Sequence, residues 1–374
     1  MQALRQIRKR MELLLMLLIG VAWGIILSEL MRRTRWQFAD SFLQARGHFP
    51  SSFRTRDCHT APSTSVSTIT PTNMSVPLAS RLFNETRILC IVPSSPQTHL
   101  SRAIHIKRTW GSRCNKLIFM STKEDKTLGA VDLKVKEGNS NLWGKVRASL
   151  QYAYKNHFQN YDWFLKVDEE TYVVMENLRS FLYPYSPMEP VYFGNKFRSP
   201  QVKKGYMSGG AGYVLSKEAL HRFMKFGFSN GSICSNRSYG YEDVELGRCL
   251  QAVGVVGGDS RDDHGLNRFI PYSPLQSYPK PPEWYPPYPY YKLANVTTDC
   301  CSNSAITFHY IYPNDLYVLD YIIYRLKTFG VPKDLEKMPV KRLMKNEMEK
   351  WRNDLPTEGK ITIKLFPGTS QNTT

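Results

Sequence analysis

The chain opens on one long apolar run. After an extended polar stretch it settles into short apolar segments that alternate with segments of helical period. Residues 13–27 (LLLMLLIGVAWGIIL) carry no charge. Extended to residue 31, the run approaches the roughly 20 residues that a helix needs to cross a bilayer. Arg5, Arg8, Lys9 and Arg10 precede it and favour a cytosolic N-terminus, while Arg32, Arg33 and Arg35 follow it, so the charge bias is small. Bulky basic residues stand where a signal peptide would place a small-x-small cleavage site, which favours a retained anchor. Residues 32–85 are rich in Ser, Thr and Pro, bury too little apolar surface to fold alone, and read as a stem.

From residue 86 the pattern changes. Residues 88–92 (ILCIV) read as a buried strand, 99–110 as helical, and 116–120 (KLIFM) as a second strand. Val146, Leu150, Tyr154 and Phe158 recur at four-residue spacing and predict a helix over 144–158. Residues 163–167 (WFLKV) and 305–310 (AITFHY) read as strands. Further helices are predicted over 175–183, over 217–226 with Ser216 as N-cap, and over 241–253. This β-α alternation predicts a mostly parallel sheet with helices on both faces. Such sheets bind ligands beyond the carboxyl ends of their strands, which directs attention to the residues just after position 167.

Composition narrows the setting. The 374 residues carry a formal net charge of +18, yet the basic residues are spread along the chain and no helix-turn-helix, zinc-finger or RNP-type pattern accompanies them, so nucleic acid is not the expected partner. An anionic substrate or a membrane face suits the charge equally. The seven cysteines (Cys58, Cys90, Cys114, Cys234, Cys249, Cys300 and Cys301) form no CxxC pair, which argues against zinc. Cys90 with Cys114 and Cys234 with Cys249 are candidate local bridges; Cys300 and Cys301 bond either each other or more distant partners. Sequons at Asn73, Asn84, Asn230, Asn236, Asn295 and Asn372, together with the apolar N-terminal run, point to a lumenal domain.

Five features carry chemistry. Asp168-Glu169-Glu170 comes directly after the strand 163–167. Crowded carboxylates repel unless a cation compensates, and hard divalent ions take oxygen ligands, so Asp168 and Glu170 are candidate metal ligands; the bland alternative is a solvated acidic turn. Residues 204–213 (KGYMSGGAGY) place Gly209, Gly210 and Gly212 where a ligand or a packed helix approaches the backbone. Glu242 and Asp243 open a helix, where acids serve the dipole by default and where a general base for a hydroxyl would also stand. His309 lies in a strand, and lone histidines are more often structural than ligands. Residues 284–291 (WYPPYPYY) form an aromatic, proline-stiffened loop whose faces suit either a sugar or a core.

The segments WFLKVDEETYVV, YFGNKF, GYMSGGAGYVLSKEAL, YEDVELGRC, GDSRD and CCSNSAITFHY together resemble the core 1 β1,3-galactosyltransferases, relatives of the Fringe-type enzymes. The resemblance covers about residues 86–330, with order and spacing kept. It implies a GT-A type, Rossmann-like α/β fold and an inverting transfer of galactose from UDP-galactose to the 3-hydroxyl of GalNAc on Ser or Thr. It also implies Mn²⁺, a Golgi type II topology, a GalNAc-bearing glycoprotein acceptor and, by analogy, a homodimer. Residue by residue it implies Asp168, Glu170 and His309 at the metal, Glu169, Gly209 and Gly210 at the donor, Asp243 as base, and Trp284, Tyr288 and Tyr290 at the acceptor. The family usually has Asp-Asp-Asp where this chain has Asp-Glu-Glu, and the added methylenes shift two carboxylates by about a bond length, enough to matter in catalytic positioning. A weakly active or inactive folding helper, or a β1,3-transferase with another donor or acceptor, are the alternative readings. The expected organisation is a cytosolic tail (1–12), transmembrane anchor (13–31), stem (32–85), lumenal catalytic domain (86–330) and basic C-terminal extension (331–374).

Overall fold

The computed structural model describes residues 77–292, 300–328 and 339–354, all within one compact unit of residues 73–374. The anchor 13–31, Cys58, Asn73, Asn295 and Asn372 lie outside the described residues. Among the described residues no helix is long and apolar enough to cross a membrane.

Among the described residues twelve strands form in chain order: β1 (Ile88–Pro93), β2 (Lys116–Ser121), β3 (Ala130–Asp132), β4 (Trp163–Lys166), β5 (Tyr172–Val173), β6 (Val191–Gly194), β7 (Lys196–Ser199), β8 (Val202–Met207), β9 (Tyr213–Ser216), β10 (Val256–Gly257), β11 (Phe269–Ile270) and β12 (Thr307–Phe308). The main sheet runs β10-β6-β9-β4-β1-β2-β3, with β11-β12-β5 and the β7-β8 hairpin beside it. Successive strand residues face opposite sides, and β1 shows the consequence. Ile88, Cys90 and Val92 enter one core cluster, while Leu89 and Ile91 enter the other. The helices Leu142–His157, Lys217–Arg222 and Glu242–Ala252 cover the second face through Val146, Leu150, Leu220 and Leu246. Met175–Leu182 and Pro313–Asp320 cover the first through Leu178 and Leu316. The helix Met344–Asn353 joins that same face with Met344, Met348 and Trp351, one stripe of its surface, although it lies in the basic C-terminal segment.

The mostly parallel sheet with helices on both faces is as the sequence predicts, with one exception. Strand β9 runs antiparallel to both β4 and β6. A tight turn precedes it: the Gly212 N–H donates to the Gly209 carbonyl (3.1 Å), and Gly212 has φ +78°, a left-handed value that suits glycine. A Cβ at Gly212 would also stand 2.5 Å from the Val167 side chain. The helix beginning at Lys217 is capped by Ser216 as predicted, then widens into a π-helical turn over Phe223–Gly227.

Three disulfides link described residues: Cys90–Cys114, Cys234–Cys249 and the adjacent Cys300–Cys301. The two candidate local bridges therefore form, and Cys300 and Cys301 take each other rather than distant partners. On a chain-entropy view, closing a loop of 15 residues between Cys234 and Cys249 stabilises the fold by about 3 kcal/mol.

Candidate active site

Strand β4 delivers the first acids. Its last residue, Lys166, is buried, with its ammonium 2.8 Å from Asp168 Oδ1 and 2.5 Å from Glu242 Oε1. Burial alone would lower the Lys166 pKa, but the two carboxylates outweigh it and hold the side chain charged. Glu242 opens the helix Glu242–Ala252, and its second oxygen accepts from the Tyr213 hydroxyl at 2.8 Å. Burial pushes the Glu242 carboxyl up to about 7, against the pull of Lys166. One lysine thus ties the end of β4 to the start of a helix far along the chain.

Asp243 is next on the same helical turn. Its carboxylate accepts the Gly209 N–H (3.0 Å) and the Val244 N–H (2.8 Å). Burial raises its pKa above the ordinary aspartate value, with the Gly209 bond opposing. A carboxylate made more basic by desolvation, yet oriented by two amides, is suited to accept a proton from a hydroxyl.

His309 arrives through the small sheet. Phe308 pairs with Tyr172 across β12 and β5, so the next residue comes to lie beside the acidic turn. Its Nε2 is 3.9 Å from Asp168 Oδ2, outside direct hydrogen-bond range. Burial lowers the His309 pKa, with Asp168 and Glu170 opposing, which favours the neutral imidazole that ligates metals. Gly210 makes this approach possible, because a Cβ there would meet the His309 ring at 2.5 Å. Gly209 is likewise pressed against Glu242, whose Oε1 would lie 2.3 Å from an added Cβ.

The other two acids turn elsewhere. Glu170 pairs with Arg102. Glu169 accepts from the Ser94 hydroxyl (2.6 Å) and the Thr98 hydroxyl (2.9 Å), and burial raises its pKa. Among the described residues no three His, Cys, Asp or Glu side chains close on one point. The structure brings Asp168 and His309 face to face and leaves Glu170 with its arginine. An oxygen donor and a neutral nitrogen donor across a gap fit a divalent cation such as Mn²⁺ in donor chemistry.

Two cavities flank the acidic turn. One, of about 330 Å³, is lined by Asp168, Asp243, His309, Trp284 and Tyr288 among others. The second, of about 440 Å³, is lined by Ser94, Thr98, Arg102, Lys145 and Glu169 among others. Tyr290 belongs to neither. It is fully buried, its hydroxyl donates to the Asp354 carbonyl at 2.8 Å, and its ring packs where a Gly205 Cβ would stand. Lys166 and Arg102 are the functional candidates that sequence reasoning missed. A lysine inside the apolar run WFLKV, two residues before an acid, was a usable signal for the first; Arg102 had none. Asn84, Asn230 and Asn236 are exposed, as glycan attachment requires.

Asp168, Glu242 and Asp243 lie inside the stretch that matches a known family. The Fringe-like family model matches residues 84–265. The Xenopus laevis glycoprotein-N-acetylgalactosamine 3-beta-galactosyltransferase 1 is 40% identical over 258 residues, spanning 68% of this chain and 70% of the relative. A Mus musculus beta-1,3-glucosyltransferase is 27% identical over 186 residues, 48% of this chain and 36% of that one. Among solved structures, the catalytic domain of Drosophila beta1,4galactosyltransferase 7 in complex with xylobiose aligns with a TM-score of 0.27 and 17% identity, over 46% of this chain and 63% of that chain. A likeness that low assigns nothing.

Proposed function

The chain belongs to the glycoprotein-N-acetylgalactosamine 3-β-galactosyltransferase family and is a glycosyltransferase, and we propose that it transfers galactose from UDP-galactose to the 3-hydroxyl of GalNAc on Ser or Thr of glycoproteins, with inversion, on a GT-A type scaffold. The observation that carries this reading is one cavity bordered at once by Asp168, His309 and Asp243, with Trp284 and Tyr288 on its wall. Asp243 takes the proton of the acceptor hydroxyl as that oxygen attacks galactose C1 and the bond from C1 to UDP breaks on the opposite face. Gly209 and Val244 hold the carboxylate in place through their N–H groups. The aromatic faces of Trp284 and Tyr288 suit the C–H surface of the acceptor sugar.

The donor occupies the cavity on the other side of the acidic turn. Glu169, Ser94 and Thr98 supply hydrogen-bonding groups there, and Arg102 and Lys145 supply positive charge beside an anionic diphosphate. Asp168 and His309 would hold a divalent ion, Mn²⁺ in this reading, with Glu170, here paired with Arg102, as a candidate further oxygen ligand. When bound, that ion supplies charge neutralisation to the departing UDP. Exposed sequons and three disulfides support a lumenal setting, and a Golgi membrane location behind the 13–31 anchor is part of the same proposal.

The test uses the full chain in detergent with Mn²⁺, a GalNAc-peptide and a panel of UDP-sugars. Galactose transfer to the GalNAc 3-hydroxyl is the expected result. Transfer of another sugar would replace the donor assignment. No transfer from any donor, with folding intact, would overturn catalysis in favour of a folding helper.

A further inference from the structure

A third cavity, of about 230 Å³, lies at the other end of the helix Glu242–Ala252 from the candidate active site. Gly247 and Gln251 border it, whereas Glu242 and Asp243 stand at the helix start, roughly 6 Å from Gly247 and roughly 12 Å from Gln251 along the axis at 1.5 Å per residue. Its charged wall residues are Lys196, Lys204 and Arg352, and no carboxylate lines it. Lys196 is buried, with a relative exposure of 6%.

The contacts of Lys196 are incomplete for a buried ammonium. Its Nζ donates to the Gly257 carbonyl at 3.1 Å and sits 4.2 Å from the Tyr290 ring centroid and 5.5 Å from that of Tyr291. It is absent from the ion pairs of the described residues, all of which involve other side chains. Asp354 and Asp259 are near enough to pull on its proton but not to pair with it. An ammonium has three N–H donors, and buried charges ordinarily find a counter-charge. Lys204 and Arg352 are exposed at the rim, where the Lys204 ammonium donates to the Arg352 carbonyl at 2.6 Å. Trp351 supplies an aromatic wall beside the three cations.

We propose that this cavity is an oxyanion site, formed by Lys196, Lys204 and Arg352, that takes a sulfate or phosphate group, either as the free ion or as the ester on a sugar. The volume corresponds to roughly eight waters at about 30 Å³ each, room for such a group with part of a sugar ring against Trp351. The site shares no wall residue with the two cavities beside the acidic turn.

Trp351 makes the site readable by fluorescence. The full chain in detergent is titrated with inorganic sulfate, inorganic phosphate, 6-sulfated GalNAc and unsulfated GalNAc, at constant ionic strength and without UDP or Mn²⁺. Saturable change in Trp351 emission, lost in Trp351→Phe, is expected with at least one oxyanion. Tighter binding of the sulfated sugar than of inorganic sulfate identifies an ester as the source, and equal binding identifies the free ion. Lys204→Glu/Arg352→Glu, two exposed positions that leave the core untouched, should weaken binding by tenfold or more, since bonds to charged groups are the strong ones. Lys196→Met should do the same if its thermal transition stays cooperative. No saturable response to any oxyanion, or binding unchanged in the rim double variant, overturns the proposal.

Discussion

Replacing Lys166 by Met tests how the candidate site is held together. The ammonium is 1% exposed and is shared between Glu242, 4% exposed, and Asp168, 32% exposed. Only the Glu242 side is deep enough for a large effect, because solvent screens the Asp168 side. Removing one member of a buried pair leaves an uncompensated charge and costs about 3–5 kcal/mol. At roughly 2–4 °C per kcal/mol, the melting temperature should fall by about 6–20 °C. Differential scanning calorimetry of the full chain, at fixed pH and scan rate, measures this. The double variant Lys166→Met/Glu242→Met removes the stranded carboxylate and fills the space with apolar atoms, so it should recover much of the loss. A Lys166→Met transition within 2 °C of wild type (roughly 1 kcal/mol or less), or a double variant worse than the single one, would refute the network as described.

Three further outcomes are expected. Asp243→Asn keeps the shape but removes the proton acceptor, so turnover should fall by about 10²–10⁴ while UDP affinity by calorimetry barely moves; retained turnover would dismiss Asp243 as base. Ser216 is fully buried, accepts the Ala219 N–H at 3.0 Å and donates to the Glu189 carbonyl at 2.6 Å. Ser216→Ala should therefore cost about 1–2 kcal/mol in denaturant unfolding, and less than half of that would contradict the cap. Burial pushes the Lys196 ammonium down to about 8, with Asp354 and Asp259 opposing and Lys204 and Arg261 adding to the fall. The unfolded chain then binds more protons between that value and 10.5, so without added oxyanion the stability of wild type relative to Lys196→Met should rise as pH climbs through this window. A flat difference across it would place Lys196 in a better-paired environment.

Much of this molecule was legible from local pattern. The strand and helix periods located β1, β2, β4, β12 and the helices that cover the main sheet from residues 142 to 252, because side-chain alternation and the 3.6-residue turn depend only on neighbours in sequence, whereas β3 and β5 to β11 were not located. The acids after WFLKV, the helix-start Asp243 and the strand histidine could be named before any contact was known. The nearest-neighbour cysteine pairings could be named as well, although Cys300 and Cys301 kept two options.

What sequence could not supply was which chemically similar groups would meet. Glu170 and Asp168 are two residues apart and equally acidic, yet one pairs with Arg102 and the other faces His309. Tyr288 and Tyr290 stand in one aromatic run, yet one lines the cavity beside Asp243 and the other is buried on Lys196. The antiparallel β9, the cross-strand pairing that carries His309 to the acidic turn, and the buried lysine joining β4 to a later helix are all contacts between distant segments. Periodicity fixes the face a residue presents; only the packing of whole elements, driven by burial of two opposed core faces, decides what stands opposite it.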